Sequence, residues 1–347
     1  MEIKKICKGC GSILQTNNKD KEGYCLNDNQ DFCQRCFRLT NYNDFKYIKP
    51  TSSIKNIKEE IININKPLLV YVIDCVEALF FNNDLVFNSF NDDIVILINK
   101  IDIFPKDYGS DRLIKVYKDI FIEYKKKYPN IIDIFMTSKK DYYFKDMFTS
   151  YLKELDYKNI VFIGRTNAGK SSIINLLTDN KFTVSSYANT TLHTNYVEHD
   201  GYKFYDTPGL IEEDKLDNID YNNDLGVYTN KRLKPMTFQI FNNQTYFIDM
   251  LTRIDIKPIG KCSVTFFLDD EYNIHRTSTK NAGSFFDNHH NEFKHQLLPF
   301  NTIKEFKCND YLCIGIENYG FFTINKKANV KISINDKINV YTRKKKI

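Results

Sequence analysis

Short apolar runs alternate with longer segments of helical periodicity through the central part of the chain. Two runs are continuously apolar, as strands buried on both faces of a parallel sheet are: LLVYVID (68–74) and DIVILIN (93–99). Two further segments are also predicted to be strands: IIDIFMTS (131–138) and NIVFIG (159–164). Helical periodicity occupies the segments around them: residues 53–65, 109–128, 145–155 and 170–178. The alternation predicts an α/β fold, a doubly wound parallel sheet with helices on both faces.

The two ends of the chain follow different patterns. Residues 1–45 are rich in cysteines and turn-forming residues and have little periodicity. Residues 194–209, TNYVEHDGYKFYDTPG, predict two strands around an Asp-Gly turn. After about residue 225, short β-like runs such as KCSVTFFLD and GFFTIN indicate a strand-rich α+β domain. We therefore predict three domains: residues 1–50, 51–224 and 225–347.

The composition is that of a core-forming globular protein. Hydrophobic residues make up 42% of the chain and charged residues 27%. No apolar run approaches the ~20 residues of a membrane helix. The start, MEIKKICKGCGS, lacks the apolar core of a secretion signal. We therefore expect a cytoplasmic protein with no membrane partner.

The formal net charge of +5 is unevenly distributed. Residues 1–50 carry nine Lys or Arg and six Asp or Glu, and residues 225–347 carry 19 and 11. Residues 51–224 carry 21 and 27, so the middle of the chain is acidic. Basic ends suit a phosphate-rich partner such as RNA, although solvated lysines on a surface give the same count.

A phosphate-binding loop is indicated by GRTNAGKS, residues 164–171. It matches G-x-x-x-x-G-K-[ST] and lies between a predicted strand and a predicted helix, where backbone N–H groups can surround a phosphate. Lys170 would supply charge to the β- and γ-phosphates, and Ser171 would offer its hydroxyl to Mg²⁺. The nucleotide-contacting residues predicted here are Gly164, Asn167, Ala168, Gly169, Lys170, Ser171 and Ser172.

A guanine-reading motif, NKID, follows the apolar run that ends near residue 98. The Asp102 carboxylate can accept hydrogen bonds from the ring N–H and the exocyclic amine of guanine, a donor pair that adenine lacks. We expect Asn99 and Lys100 to brace this loop. The segment TSK at 137–139 resembles the loop that backs the base in GTPases, so Ser138 and Lys139 are further candidates.

The switch elements of a GTPase are indicated in two places. In DTPG, residues 206–209, the second switch, Asp206 would hold Mg²⁺ through water and the Gly209 N–H would meet the γ-phosphate. In NTT, residues 189–191, the first switch, we choose Thr191 over Thr190 as the Mg²⁺ ligand. The residues assigned to catalysis are Lys170, Thr191 and Asn167.

The order of these motifs is unusual, because the base-reading elements precede the phosphate-binding ones. A circular permutation accounts for the order, since the ends of compact domains often lie close enough to be joined. Residues 154–158 would be the new connection. Each loop still lies at the C-terminal edge of its strand, where nucleotides bind in such sheets.

A metal centre is predicted by two cysteine pairs, CKGC and CQRC. Four thiolates from two tight turns can close a tetrahedron around Zn²⁺. The predicted zinc ligands are Cys7, Cys10, Cys33 and Cys36. Cys25 is a competing ligand, and a redox dithiol is the alternative for one pair. We expect the remaining cysteines to be core thiols: Cys75, Cys262, Cys308 and Cys313.

Together the motifs CKGCGSILQ, CQRCFRL, NKID, GRTNAGKSS and DTPG resemble those of the YqeH family of circularly permuted GTPases. The resemblance is carried by about residues 1–225. It implies a GTP- and Mg²⁺-dependent factor in small ribosomal subunit assembly that binds ribosomal RNA or a pre-ribosomal particle and is monomeric when free. Two alternatives stay open: a regulatory GTPase acting on a protein partner, and a zinc and nucleic-acid-binding protein whose nucleotide site is structural.

The mechanism of hydrolysis is indicated by two residues. Leu210 stands where small GTPases carry a water-positioning glutamine, so intrinsic hydrolysis should be slow. Asn167 resembles the K⁺ ligand of GTPases with a related phosphate loop, and K⁺ would offset charge that develops during hydrolysis. Alternatively, Asn167 only supports the turn of the loop.

Overall fold

The computed structural model describes residues 5–27, 29–42, 53–80, 84–138, 141–179, 192–210, 232–293, 295–317 and 319–347. The chain divides into two units. The first comprises Met1–Ala78, Asn82–Ile101 and Tyr117–Asp217, and the second Leu79–Phe81, Asp102–Val116 and Asn218–Ile347. The predicted boundaries after residues 50 and 224 lie outside the described residues. The division into three domains therefore stays a prediction.

Six strands form one sheet in the first unit: β1 (Pro67–Asp74), β2 (Ile94–Asn99), β3 (Ile131–Met136), β4 (Asn159–Ile163), β5 (Asn195–His199) and β6 (Tyr202–Asp206). Their order across the sheet is β3-β2-β1-β4-β6-β5. Neighbours are parallel except β5 and β6, which form the predicted hairpin. The centre of the sheet is buried on both faces, as the continuous apolar runs predicted.

The permuted arrangement is confirmed by this strand order. β1, the first strand in the chain, pairs with β2 on one side and with β4 on the other. The base-reading motif follows β2 and the phosphate loop follows β4, so both lie at the same edge of one parallel sheet. Motifs that are distant in sequence are thereby brought to one site.

Seven helices belong to the described chain before residue 180: α1 (Gln34–Tyr42), α2 (Ile54–Ile61), α3 (Cys75–Leu79), α4 (Asp84–Ser89), α5 (Ser110–Lys127), α6 (Tyr142–Glu154) and α7 (Lys170–Thr178). Phe144, Phe148 and Leu152 of α6 are buried against the sheet. The Asp141 carboxylate caps α6 by accepting the N–H groups of Tyr143 and Phe144.

The sequence pattern missed three of these helices. α1 lies in the part of the chain expected to have little regular structure, and α3 and α4 lie in a segment for which no element was predicted. These helices have nine, five and six residues. So few turns give periodicity little room to show.

Ten strands form two sheets in the second unit: β7 (Lys234–Ile240), β8 (Gln244–Ile248), β9 (Thr252–Pro258), β10 (Cys262–Leu268), β11 (Ile274–Ser278), β12 (Thr302–Cys308), β13 (Tyr311–Ile316), β14 (Gly320–Asn325), β15 (Ala328–Ile334) and β16 (Val340–Arg343). The orders are β16-β13-β14-β10-β7 and β11-β8-β9-β15-β12. Inward residues of both sheets share one hydrophobic core. α8 (Ala282–His289) packs on Phe247 through Phe285 and Phe286. The predicted strand-rich end of the chain is therefore confirmed.

Within the described residues, no helix is long and apolar enough to cross a membrane.

Candidate nucleotide site and metal centre

The phosphate loop connects β4 to α7 and contains two glycines that no other residue could replace without displacing neighbours. At Gly164, φ is +150° and a Cβ would lie 2.2 Å from the Val72 carbonyl oxygen. At Gly169, φ is +99° and a Cβ would lie 2.2 Å from Nδ2 of Asn99. Asn167 also has a left-handed conformation, with φ of +60°. These left-handed residues let the loop curve tightly, as a loop whose backbone N–H groups surround a phosphate must.

Lys170 lies at the start of α7, and its side chain is directed back into the loop. Its Nζ donates to the carbonyl oxygens of Gly164 at 2.9 Å and Arg165 at 3.2 Å. Burial lowers the pKa of Lys170 to about 8, and the charge of Asp206 opposes part of this shift. A buried ammonium group of lowered pKa is suited to bind a phosphate, whose negative charges would restore its usual pKa.

The predicted Mg²⁺ ligands from the phosphate loop and the second switch meet directly. The Ser171 Oγ donates to Oδ2 of Asp206 at 2.6 Å, and Asp206 is fully buried at the end of β6. A hydroxyl and a carboxylate are hard oxygen donors of the kind that Mg²⁺ prefers, and so they fit the ion. Thr190 and Thr191 lie outside the described residues.

The segment after Asp206 lies against the phosphate loop. The Leu210 N–H donates to the Gly164 carbonyl oxygen at 3.0 Å. A Cβ on Gly209 would lie 2.8 Å from Cα of Thr166. Only glycine allows so close an approach of the two backbones. Thr207, which sequence reasoning did not select, secures the segment by donating its hydroxyl to the Phe162 carbonyl oxygen at 2.8 Å.

The base-reading loop is joined to the phosphate loop by Asn99, whose Nδ2 donates to the Ala168 carbonyl oxygen at 2.8 Å. Asp102 lies in the short 3-10 helix Ile101–Ile103, directly after Lys100.

The loop predicted to back the base, residues 137–139, is attached to the end of β2, because the Thr137 N–H donates to the Ile98 carbonyl oxygen at 2.8 Å. Ser138 is buried there. Ser172 lies in the first turn of α7, and Lys139 is outside the described residues.

Asp74 is a residue of this site to which the sequence analysis gave no role. It pairs with Asn99 in the register of β1 and β2, and its Oδ2 lies 3.3 Å from the Lys100 Nζ. Both side chains are buried. Its other oxygen accepts the Val76 N–H at 2.8 Å. The signal available in the sequence was an acidic residue at the end of an apolar strand, on the nucleotide edge of the sheet.

The metal centre consists of four buried cysteines: Cys7, Cys10, Cys33 and Cys36. Their sulfur atoms all lie within 4.8 Å of one another. Cys10 Sγ and Cys33 Sγ are 3.7 Å apart, close to the spacing of about 3.8 Å that tetrahedral Zn–S bonds of about 2.3 Å require.

Backbone N–H groups support the sulfurs: that of Cys33 donates to Cys7 Sγ at 3.2 Å, and that of Cys36 to Cys33 Sγ at 3.5 Å. Cys25 is not part of the cluster, and its thiol donates to the Gln15 carbonyl oxygen. The four clustered cysteines therefore fit Zn²⁺ as thiolate ligands, and Cys25 is not among them.

Comparison with known proteins places this site in a family. Residues 159–249 match the family described as 50S ribosome-binding GTPase. The YqeH protein of Bacillus subtilis (strain 168), itself uncharacterised, is 30% identical over 307 residues, which are 83% of this chain and 82% of that protein. The chain belongs to the YqeH family. It is accordingly a GTPase, for which GTP, GDP and Mg²⁺ are the expected ligands of the loops described above.

Two further proteins extend the similarity. The chloroplastic GTP-binding protein Brassinazole Insensitive Pale Green 2 of Arabidopsis thaliana is 25% identical over 335 residues, which are 82% of this chain and 49% of that protein. This YqeH-family chain thus spans about half the length of its plant relative. The probable GTP-binding protein EngB of Malacoplasma penetrans (strain HF-2) is 30% identical over 138 residues, 38% of this chain and 70% of that protein.

Proposed function

We propose that this chain is a cytoplasmic GTP-hydrolysing factor of small ribosomal subunit assembly, which binds ribosomal RNA or a pre-ribosomal particle in a nucleotide-dependent way. One observation supports GTP dependence: the base-reading loop, the phosphate loop and the second switch are joined by hydrogen bonds at one edge of the sheet. Asn99 bonds to Ala168 of the phosphate loop, and Ser171 bonds to Asp206 of the second switch. A nucleotide bound there would contact base-reading, phosphate-binding and switch residues together.

The proposed roles of the site residues follow from their positions. Asp102 reads the guanine edge, with Asn99, Lys100 and the Ser138–Lys139 loop supporting it. Lys170 and the loop N–H groups hold the phosphates, and Ser171, Thr191 and Asp206 hold Mg²⁺. The four cysteines hold Zn²⁺, which fixes the fold of the cysteine-rich segment around them.

The ribosomal part of the proposal has two supports. The matched family is described as ribosome-binding, and the small subunit is what the resemblance to YqeH proteins implies. The basic ends of the chain, with an excess of eight positive charges over residues 225–347, are suited to a phosphate-rich surface. Because the family description names the 50S particle, the two subunits need to be tested separately.

Co-sedimentation in K⁺ buffer tests the proposal. The purified protein is incubated with isolated small or large subunits, and with either a non-hydrolysable GTP analogue or GDP. We expect it to sediment with the small subunit in the presence of the analogue and to stay in the supernatant with GDP. Sedimentation with the large subunit alone, or turnover of GTP with binding to neither particle, would contradict the small-subunit assignment.

We further propose that intrinsic hydrolysis is slow and stimulated by K⁺. The Leu210 side chain is buried and apolar, so it cannot orient a water molecule. Asn167 lies in the phosphate loop, between Thr166 and Ala168, where an amide oxygen could share a cation with the phosphates. K⁺ there would offset the charge that develops between the β- and γ-phosphates.

A further inference from the structure

The cysteine module, residues 5–36, is hydrogen-bonded to the chain that directly follows the first switch. The N–H groups of Leu192 and His193 both donate to the Cys10 carbonyl oxygen, at 2.9 and 3.0 Å. Leu192 also packs against the four cysteines. Thr191, the proposed Mg²⁺ ligand, is the residue immediately before Leu192 in the sequence.

Further contacts hold the same short segment. Asn195 donates through Nδ2 to the Cys7 carbonyl oxygen at 3.3 Å, and His193 Nε2 lies 3.2 Å from the Glu22 carboxylate. The Cβ of a residue other than glycine at position 11 would lie 2.4 Å from the His193 carbonyl oxygen. The Thr194 N–H donates to Glu60 of α2 at 2.9 Å. The segment that follows the first switch, residues 192–195, is therefore hydrogen-bonded both to the cysteine module and to α2.

We propose that the cysteine module positions the first switch, so that Zn²⁺ at the module and Mg²⁺·GTP at the switch threonine stabilise each other. Leu192, His193 and Asn195 are the positioning residues. The inference rests on the proposed role of Thr191 in the GTP site.

The physical link is Cys10, which is both a proposed zinc ligand and the acceptor of the two N–H groups. Zn²⁺ fixes the Cys10 backbone, and a fixed carbonyl oxygen holds residues 192 and 193 in one arrangement. When Thr191 binds Mg²⁺·GTP, the neighbouring residues are restrained from the other end. Because such coupling is reciprocal, a γ-phosphate that orders the switch must also raise the affinity for zinc, and we expect the higher affinity to be expressed as slower zinc loss.

Zinc release measures the coupling without relying on hydrolysis. The zinc-loaded full-length protein is mixed with a chromogenic zinc chelator, with Mg²⁺ and either GDP or a non-hydrolysable GTP analogue. We expect release to be at least about 5-fold slower with the analogue, the lower end of typical coupling between sites. If the contacts only fasten the module to the domain, the two nucleotides will give equal rates, and equal rates would overturn the proposal.

Two variants locate the effect. His193→Ala combined with Asn195→Ala removes the side-chain contacts to Glu22 and Cys7 but keeps the backbone bonds to Cys10. It should therefore reduce the difference between the two release rates. Glu198→Ala combined with His199→Ala is the matched control on β5, the strand that contains Asn195, because those side chains pair with Lys203 and Asp200 instead. The control should keep the nucleotide effect. If only the control variant loses the nucleotide dependence of zinc release, His193 and Asn195 are not the positioning residues.

A separate measurement distinguishes this inference from the proposed function. Equilibrium dialysis first establishes whether the analogue and GDP bind. If neither binds, the GTP site itself is wrongly assigned. If both bind and zinc release is unaffected, the GTPase stands and the coupling is rejected. Thr191→Ala should lose the difference between the two release rates.

Discussion

The ammonium group of Lys100 lies 3.3 Å from the carboxylate of Asp74, and both side chains are buried. Lys100 has a left-handed backbone conformation, with φ of +63°, and its carbonyl oxygen accepts the Cys75 thiol at 3.2 Å. The Cys75 carbonyl oxygen in turn accepts the Tyr117 hydroxyl at 2.6 Å. The base-reading loop is therefore held by a connected set of buried polar contacts that begins at Asp74.

Asp74→Asn should weaken the binding of GTP and GDP together. Removing one partner of a buried ion pair leaves the other charge uncompensated, at a cost of about 3–5 kcal/mol, so Lys100 should leave its place in the loop. We expect nucleotide affinity to fall at least about tenfold and the free energy of unfolding to decrease. Nucleotide titration and urea unfolding measure the two effects.

Asp156→Asn is the control for that variant. It removes an exposed ion pair between Asp156 and Lys66, with an N–O distance of 2.7 Å and an Asp156 side chain that is 95% exposed. Exposed pairs contribute little, so affinity and stability should stay unchanged. If the two variants change nucleotide affinity and the free energy of unfolding equally, Asp74 does not support the base-reading loop.

Asp102→Asn should change the base preference from guanine to xanthine. The carboxylate accepts two donors of guanine, whereas an amide can donate to the carbonyl group that xanthine has in place of the amine. We expect GTP affinity to fall by about tenfold to a hundredfold, as the mismatch of a buried polar group implies, and XTP affinity to rise. Competition between XTP and GTP measures this. A variant that loses both nucleotides equally would contradict the reading role.

Asn167→Gly should remove the K⁺ stimulation of hydrolysis and keep the loop fold. Glycine adopts the φ of +60° found at Asn167 without strain, so the turn survives while the amide is lost. We expect wild-type turnover to be about tenfold or more faster in K⁺ than in Na⁺, as stabilisation of developing charge implies, and the variant to show equal rates. Asp179→Gly, at the other end of α7 with φ of +52°, is the matched control. If Asn167→Gly keeps the full K⁺ stimulation, Asn167 does not bind K⁺ and only supports the turn of the loop.

GTP binding should take up a proton at alkaline pH, through Lys170. Its pKa is about 8 in the free protein, because burial disfavours the charged form. Phosphates favour the charged form and raise this pKa on binding. Affinity should therefore be constant below pH 8 and fall as pH rises above it. Calorimetry at pH 8.5 in two buffers of different ionisation enthalpy measures the uptake, and Lys170→Met should show none. Identical heats in both buffers for the wild type would contradict the pKa assignment.

Elements with a long or uniform pattern were predictable from the sequence. The strands β1, β2 and β4 were placed to within about two residues, because burial on both faces leaves a continuous apolar signal. The helical periodicity of residues 170–178 located α7. The order of the motifs was enough to predict the permutation. α1 was not predictable, because it begins between Cys33 and Cys36, where the cluster of cysteines, rather than periodicity, organises the chain.

The contacts of the site were less predictable than its motifs. The pairing of Asp74 with Lys100 depends on the parallel register of β1 and β2, which no local pattern specifies. The same holds for Leu192 and His193, whose partner Cys10 lies far earlier in the chain. Sequence motifs identify chemical groups, whereas tertiary structure decides which of these groups support one another.

The position of β1 has a consequence for synthesis on the ribosome. β1 is made early and pairs with β2, but its second partner, β4, begins only at Asn159. At about 5–20 residues per second, the nascent chain carries an unpaired edge on a mostly apolar strand for several seconds. Such an edge is a template for pairing with other chains. A pause in translation before β4 emerges should therefore produce an aggregation-prone fragment.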